Sequence, residues 1–454
     1  MKKTVIKIIS FLLALSMLTG IFCACAGNTD PVLTKERDKT GSQGSDVTPD
    51  NGTGKTNDPI QAKNLMSGFT SSGAPGKDPD NAFVESQMDF ALKLFKESVA
   101  SSDKSVMVSP LSVILALAMT ANGADGNTLK EMETVLGKDL TLDILNKYLK
   151  NYVASLKSVD GASVKIANSI WFRDDEDEFR VKDAFLQTNA DYYNAAAYSA
   201  PFDSDTLKDI NNWVRENTDG MIDKVLDEIP KDAIMYLINT IAFDAEWAEN
   251  IPNELIRDDV FTNVNGEDRD VKMLNSVESR YLDDGKATGF IKYYKGGYAF
   301  VALLPNEGVD LDDYIASLDA KTVVNTLKNS KYGKVYCAFP QFKSEFDTEL
   351  SETLIKLGMK DAFNGDKADF SKIGSVNPGE NIYISRVIHK TFIEVNNAGT
   401  RAAAVTVVEM AKATSIGPEE EKVYSVRLDR PFVYMIIDTQ TNIPLFIGEI
   451  EDIT

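Results

Sequence analysis

Apolar and polar residues along this chain repeat with two periods, and the change from one to the other organises it. From Asn81 the apolar positions Phe83, Phe90, Leu94 and Val99 recur at near-helical spacing, which predicts an amphipathic helix. Ser109-Pro110 then opens the apolar run Leu111 to Met119, a helix ending at Asn122-Gly123. Thr128 to Leu136, Leu142 to Leu156 and Leu207 to Asn217 read as further helices, the last closed by Asp219-Gly220. Val164 to Phe172 reads as a strand. Ala233 to Phe243 is almost continuously apolar, which predicts a strand in the middle of a sheet. Strand patterns follow at Tyr298 to Leu304, Lys334 to Phe339, Thr391 to Val395, Tyr434 to Ile437 and Leu445 to Ile450. Helices dominate the first half and strands the second. That is an α+β pattern, without the strand-helix alternation of a doubly wound fold. No internal repeat is present.

One segment fits neither a loop nor an ordinary strand. Phe392 to Val395 is β-rich, and after Gly399 the chain continues as small and β-branched residues. Read with period two, one set is Thr400, Ala402, Ala404 and Thr406; the other is Arg401, Ala403, Val405 and Val407. Every member of the first set is small enough to slip between two existing strands. Glu409 to Val426 then turns to Glu, Lys, Ser and Gly. Such a segment has the chemistry to sit outside as a loop or inside as a strand.

The 454 residues are 43% hydrophobic, enough for a sizeable core. A net charge of −21 argues against nucleic acid or anionic lipid as a general partner. The N-terminus reads as a targeting segment, residues 1–24, with basic Lys2, Lys3 and Lys7 before an apolar stretch from Ile8 to Ile21. Phe22-Cys23-Ala24-Cys25 resembles a bacterial lipoprotein processing site with Cys25 as the lipidated residue. Ordinary cleavage and release is the competing reading. Residues 25–79, rich in Gly, Ser, Thr, Asp, Asn and Lys, read as a flexible tether to a folded domain over 80–454. Cys337 then stands alone in the mature chain, inside an apolar run, and reads as a buried small hydrophobe.

Catalytic chemistry is sparse. His389 is the one histidine, so a Ser-His-Asp or Cys-His site must use it or not exist. There is no Gly-x-Ser-x-Gly elbow and no Walker-type phosphate loop. A zinc site with several histidines is excluded, and the acidic run 174–178 lacks the spacing of a calcium loop. No metal or cofactor is expected, and the chain does not read as an enzyme.

Several segments, in order, resemble the serpin family from about Asn81 to the end. They are Val108-Ser109-Pro110-Leu111-Ser112, Ala167-Asn168-Ser169-Ile170-Trp171-Phe172, Asn239-Thr240-Ile241-Ala242-Phe243 with Trp247, Phe339-Pro340-Gln341-Phe342, His389-Lys390, Arg430-Pro431-Phe432 and Phe446-Ile447-Gly448. The resemblance implies about three β-sheets, eight or nine helices and an exposed reactive loop over about 397–423. It also implies a single-use inhibitor. A target serine or cysteine protease forms an acyl-enzyme with the loop. The cleaved loop then inserts into the central sheet before water completes hydrolysis. A new strand of about a dozen residues, at roughly 1 kcal/mol net per hydrogen bond, releases on the order of 10 kcal/mol. That rivals a domain's whole stability.

By the same resemblance Gly399, Thr400, Ala402, Ala404 and Thr406 form the hinge. Ser109, Ser112, Asn239 and His389 form a polar cluster beneath the middle of the central sheet, where strands part. Trp247 marks the top of the sheet, where insertion begins; a plain core tryptophan is the other reading. Asn397 and Ala398 stand where the family usually has acidic residues. The family's usual loop length puts the cut at Ala413-Thr414, which suits an elastase-like or subtilisin-like serine protease in a covalent one-to-one complex. Lys412, for a trypsin-like enzyme, and Met410 are the rival positions. A monomer is expected, anchored by lipid to the outer face of a bacterial membrane or secreted. A non-inhibitory serpin acting as a binding or transport protein is the rival function.

Overall fold

The computed structural model describes residues 59–156, 158–174, 179–231, 233–375, 381–400 and 422–453. Nine α-helices lie among them: α1 (Asn81–Val99), α2 (Pro110–Ala121), α3 (Gly126–Gly137), α4 (Leu142–Ser155), α5 (Asp183–Tyr193), α6 (Ser204–Asn217), α7 (Leu311–Ser317), α8 (Ala320–Lys328) and α9 (Ser351–Leu357). Helix α1 starts where Asp80 accepts the Phe83 N–H at 3.1 Å, and it buries Phe83, Phe90 and Leu94. Helix α2 is buried along its whole length. A helix apolar on every side is stable only in a core, and α2 lies against the central sheet. Among the described residues no helix is long and apolar enough to cross a membrane.

The central sheet has seven strands, in the order β1 (Lys63–Asn64), β5 (Ala196–Ala200), β3 (Ala162–Arg173), β6 (Met235–Glu246), β15 (Gly399–Thr400), β14 (Arg386–Val395) and β12 (Phe342–Glu349). The expected apolar strand is β6, and it is central. It runs antiparallel to β3 over its full length, from Ala245 opposite Ala162 to Met235 opposite Phe172.

A second sheet has β16 (Val423–Arg427), β11 (Lys331–Pro340), β8 (Asp268–Asp283), β9 (Ala287–Tyr293), β10 (Tyr298–Pro305), β17 (Phe432–Asp438), β18 (Pro444–Ile450) and β2 (Met107–Val108) in that order, with β7 (Ile256–Thr262) on β8. A two-stranded sheet pairs β13 (Gly374–Ser375) with β4 (Arg180–Val181). Cys337 is buried in β11, and burial pushes its thiol pKa up. It is an inert core residue, as its apolar neighbours suggest.

One boundary differs from expectation. The composition of residues 25–79 suggests a tether, yet residues 59–79 lie along the domain. Lys63 and Asn64 pair with Ser199 and Tyr198 on the edge strand β5. The Gln61 and Ala62 N–H groups donate to the buried Asp209 carboxylate at 2.8 and 2.7 Å. Leu65, Met66 and Phe69 pack on the core. These contacts are mostly backbone hydrogen bonds, which leave no apolar period in the sequence. They also cover a sheet edge that would otherwise be open. Residues 1–58, with the targeting segment and Cys25, lie outside the described residues.

Candidate functional site

The site is the seam between β6 and β14. At its foot the two strands pair in parallel, from Arg386 opposite Tyr236 to His389 opposite Asn239. Above that point, Thr240–Asp244 and Lys390–Glu394 have no pairing with each other. At the top, β15 fills the space: Gly399 and Thr400 pair with Glu246 and Ala245 on one side, and Thr400 with Val395 on the other. Gly399 approaches β6 so closely that a Cβ would lie 2.1 Å from the Ala245 carbonyl oxygen, which only glycine permits.

The four residues expected beneath the sheet meet at the foot. The Ser109 backbone N–H donates to His389 Nε2 at 3.0 Å. That nitrogen is therefore the acceptor, and Nδ1 carries the proton and donates to Asn239 Oδ1 at 3.0 Å. Asn239 Oδ1 also accepts from Ser112 Oγ at 2.7 Å. Ser109 is at the same time the N-cap of α2, its hydroxyl accepting the Ser112 N–H at 3.4 Å, with Pro110 at the first helical position. The α2 helix thus fixes two members of the cluster, and the strand pair fixes the other two. His389 is fully buried, and burial lowers its pKa to about 3, so it is neutral in the folded protein. Asn239 Nδ2 is buried with no hydrogen-bond partner.

At the top, Trp247 does more than fill core. Its Nε1–H donates to the Asn396 carbonyl at 2.8 Å, and its backbone N–H donates to Ala398 O at 2.8 Å. The ring stacks on Tyr294, centroids 4.1 Å apart, and Tyr294 Oη is 2.5 Å from Thr400 Oγ1. Thr400, the first of the expected inward set, is fully buried. Asn396 Oδ1 accepts the Ala398 and Gly399 N–H groups at 2.9 and 3.2 Å, closing the turn that leads β14 into β15. Asn397, in the place of an expected acid, accepts the Ile251 N–H on its backbone carbonyl at 3.0 Å. Tyr294 and Asn396 were not legible as site residues; the paired asparagines before a Gly-Thr were the available signal for the turn. Ala402, Ala404, Thr406, Met410, Lys412, Ala413 and Thr414 lie outside the described residues.

Comparison with known proteins agrees with this arrangement. Residues 85–453 match the family model described as Serpin (serine protease inhibitor). The chain belongs to the serpin family. Serpins as a family are mainly protease inhibitors, and they bind target proteases without being catalysts themselves. An uncharacterised serpin-like protein of Thermococcus kodakarensis is 30% identical over 365 residues, 79% of this chain and 83% of that one. Leukocyte elastase inhibitor A of Mus musculus is 29% identical over 377 residues, 80% of this chain and 97% of that one. Among solved structures, the native state of the thermophilic serpin tengpin is 44% identical with a TM-score of 0.81, covering 87% of this chain and 100% of its own. The latent state of tengpin gives 0.73, so the described fold lies nearer the native form of that protein.

Proposed function

We propose that this serpin is an irreversible, single-use inhibitor of serine proteases, with cysteine proteases as a further target class, that traps the acyl-enzyme by inserting its cleaved loop between β6 and β14. The observation that carries this reading is the seam itself, with Gly399 and Thr400 already paired at its top and the strands unpaired below them. Continuing that register down the seam sets Ala402 between Phe243 and Ile393, and Ala404 between Ile241 and Thr391. Those neighbours are buried, so the inward side chains must be small. Arg401 falls between Asp244 and Glu394 on the opposite, outward face. Thr406 arrives at the Asn239–His389 pair and brings a hydroxyl to the unpartnered Asn239 Nδ2. The notable fit is that the sequence is small at every inward step and charged only where acids flank the path.

The reactive bond in this reading is Ala413-Thr414, with Lys412 and Met410 as rivals. An elastase-like or subtilisin-like target suits the small residue, and the mouse relative is by name an elastase inhibitor. Replacing Ala413 then changes which protease is trapped; a change only on replacing Lys412 or Met410 relocates the bond. We place the protein outside a bacterial cell, held to the membrane through a lipid on Cys25. A Cys25→Ser variant that stays with the membrane fraction contradicts that anchor.

The decisive experiment compares thermal unfolding of the intact chain with that of chain nicked within residues 401–422 by a non-target protease. Insertion raises the midpoint by tens of degrees, since about ten new strand hydrogen bonds are gained at roughly 1 kcal/mol each. An unchanged midpoint means that the loop stays out, and the protein is then a non-inhibitory binding or transport serpin.

A further inference from the structure

Away from the seam, three carboxylates converge from two parts of the chain that are distant in sequence. Glu449 sits in β18, Glu451 just beyond it, and Asp312 in α7; one carboxylate oxygen of each lies within 4.8 Å of the other two. Exposed acids cluster often in a chain of net charge −21, but Glu449 is different. It is 1% exposed, and its Oε2 meets no hydrogen-bond donor. A buried carboxylate oxygen without a partner is costly, and two more acids beside it raise the cost. The backbone holds the group in place: the Glu449 N–H donates to Val106 O at 3.0 Å, and the Glu451 N–H donates to Ser105 Oγ at 3.0 Å.

We propose that Asp312, Glu449 and Glu451 form a calcium site that ties α7 to the end of β18. Calcium takes oxygen ligands at about 2.3–2.6 Å, so opposite ligands stand about 5 Å apart, which accommodates the observed spread. Magnesium, at about 2.0–2.1 Å, needs a tighter set and gives up its waters reluctantly. Three carboxylates leave positions for water, and Asp312 at the exposed rim gives the ion an entry. Without a cation, the buried Glu449 oxygen and the carboxylates of Glu451 and Asp312 beside it are left uncompensated. A bound dication removes that penalty. Two of the ligands stand two residues apart and the third lies in a helix far away in the chain, so no loop spacing announces the site.

The test is the thermal midpoint of the full chain, stripped with EDTA at neutral pH and titrated with calcium chloride. A rise of about 2–4 °C is expected by ten times the dissociation constant, which for an extracellular module lies at about 0.1–1 mM. Magnesium at equal concentration gives a smaller rise. Glu449→Gln keeps the shape and loses the calcium-dependent rise, whereas Glu85→Gln on the exposed face of α1 retains it and corrects for general screening. Should Glu449→Gln fail to fold, Asp312→Asn at the exposed rim gives the same reading. No rise in the wild-type chain, or an equal rise in Glu449→Gln or Asp312→Asn, overturns the site. An equal response to magnesium overturns its assignment to calcium.

Discussion

At its foot the β6–β14 seam is held by four register pairs and by His389, which draws on Ser109 of the α2 cap and on Asn239 across the strands. At its top the same strands are held apart by two residues, and the bonds that hold those residues belong to the loop's own root: Trp247 to Asn396 and Ala398, Tyr294 to Thr400. Both ends are buried and hydrogen-bonded, so density of contacts does not distinguish them. What differs is the effect of a descending strand. At the top it prolongs a pairing already begun and breaks none of these bonds. At the foot it meets Asn239 and His389 paired and bonded to each other, and it must separate them. In the proposed mechanism the top is therefore where insertion starts, and the foot is where it meets resistance.

The largest break in this comparison is at Thr400. Thr400→Arg puts a cation in a fully buried position beside Tyr294, where an unpaired charge costs several kcal/mol. The hinge leaves the seam instead, and loop insertion loses its first step. Gel-stable covalent complexes with a target protease fall by about tenfold or more, and cleaved chain accumulates in their place. Complex formation at the wild-type level contradicts the assignment of the top as the starting point.

Next comes the foot. His389→Ala leaves the Ser109 N–H without its acceptor and opens a cavity, a loss of about 2–4 kcal/mol for the intact protein. In the proposed loop-inserted form the strand pair has already parted and the loss is smaller, and the two thermal midpoints report the difference. The same residue gives a pH test. The unfolded chain protonates histidine near pH 6.5, whereas the buried ring resists to about 3. Between those values the unfolded state holds the additional proton, so stability rises with pH. The histidine contribution is complete above 6.5 and is lost as pH falls towards 3, by up to about 1.4 kcal/mol per pH unit. The deficit of His389→Ala against wild type therefore shrinks from pH 6.5 to 4. A constant deficit would mean that the ring is not held neutral.

Much of this geography could be read from residues. The alternation from Thr400 predicts an inward set, of which Thr400 is buried in the structure, and the buried run of β6 shows which strand is central. The cluster of Ser109, Ser112, Asn239 and His389 came from resemblance; nothing in their spacing brings together residues so far apart. Tyr294 was missed because its partners in the site, the Trp247 ring and the Thr400 hydroxyl, are distant in sequence, and an aromatic beside a strand end reads as core. The strand β8 was missed because few of its residues are buried and most are exposed or half-buried, which mixes polar residues into its pattern. Residues 59–79 were read as tether because their contacts are made by backbone groups, and composition carries no record of these.

A subtler comparison concerns arrival at the foot. Thr406→Val keeps the shape of the side chain and removes the hydroxyl that the proposed register brings to the unpartnered Asn239 Nδ2. The nicked, inserted protein loses about 1 kcal/mol, and the intact protein is unchanged. Equal midpoints for the inserted forms of wild type and variant would show that the strand stops short of Asn239 or arrives in another register.

The smallest expected effect probes the path between the two ends. In the continued register Arg401 passes between Asp244 and Glu394, both half-buried, and Glu394 already meets Lys343 at 3.3 Å. Ion pairs of this exposure are worth up to about 1 kcal/mol, and replacing attraction by repulsion adds a similar amount. Arg401→Glu therefore slows insertion without touching the intact midpoint, and it raises the number of inhibitor molecules consumed per trapped protease by about fivefold at low salt. Arg401→Ala falls between. Salt narrows all three towards one value, because the charges lie near the surface. If the three proteins consume the same number of molecules at low salt, the acids beside the path are incidental, and only the smallness of the inward side chains governs descent.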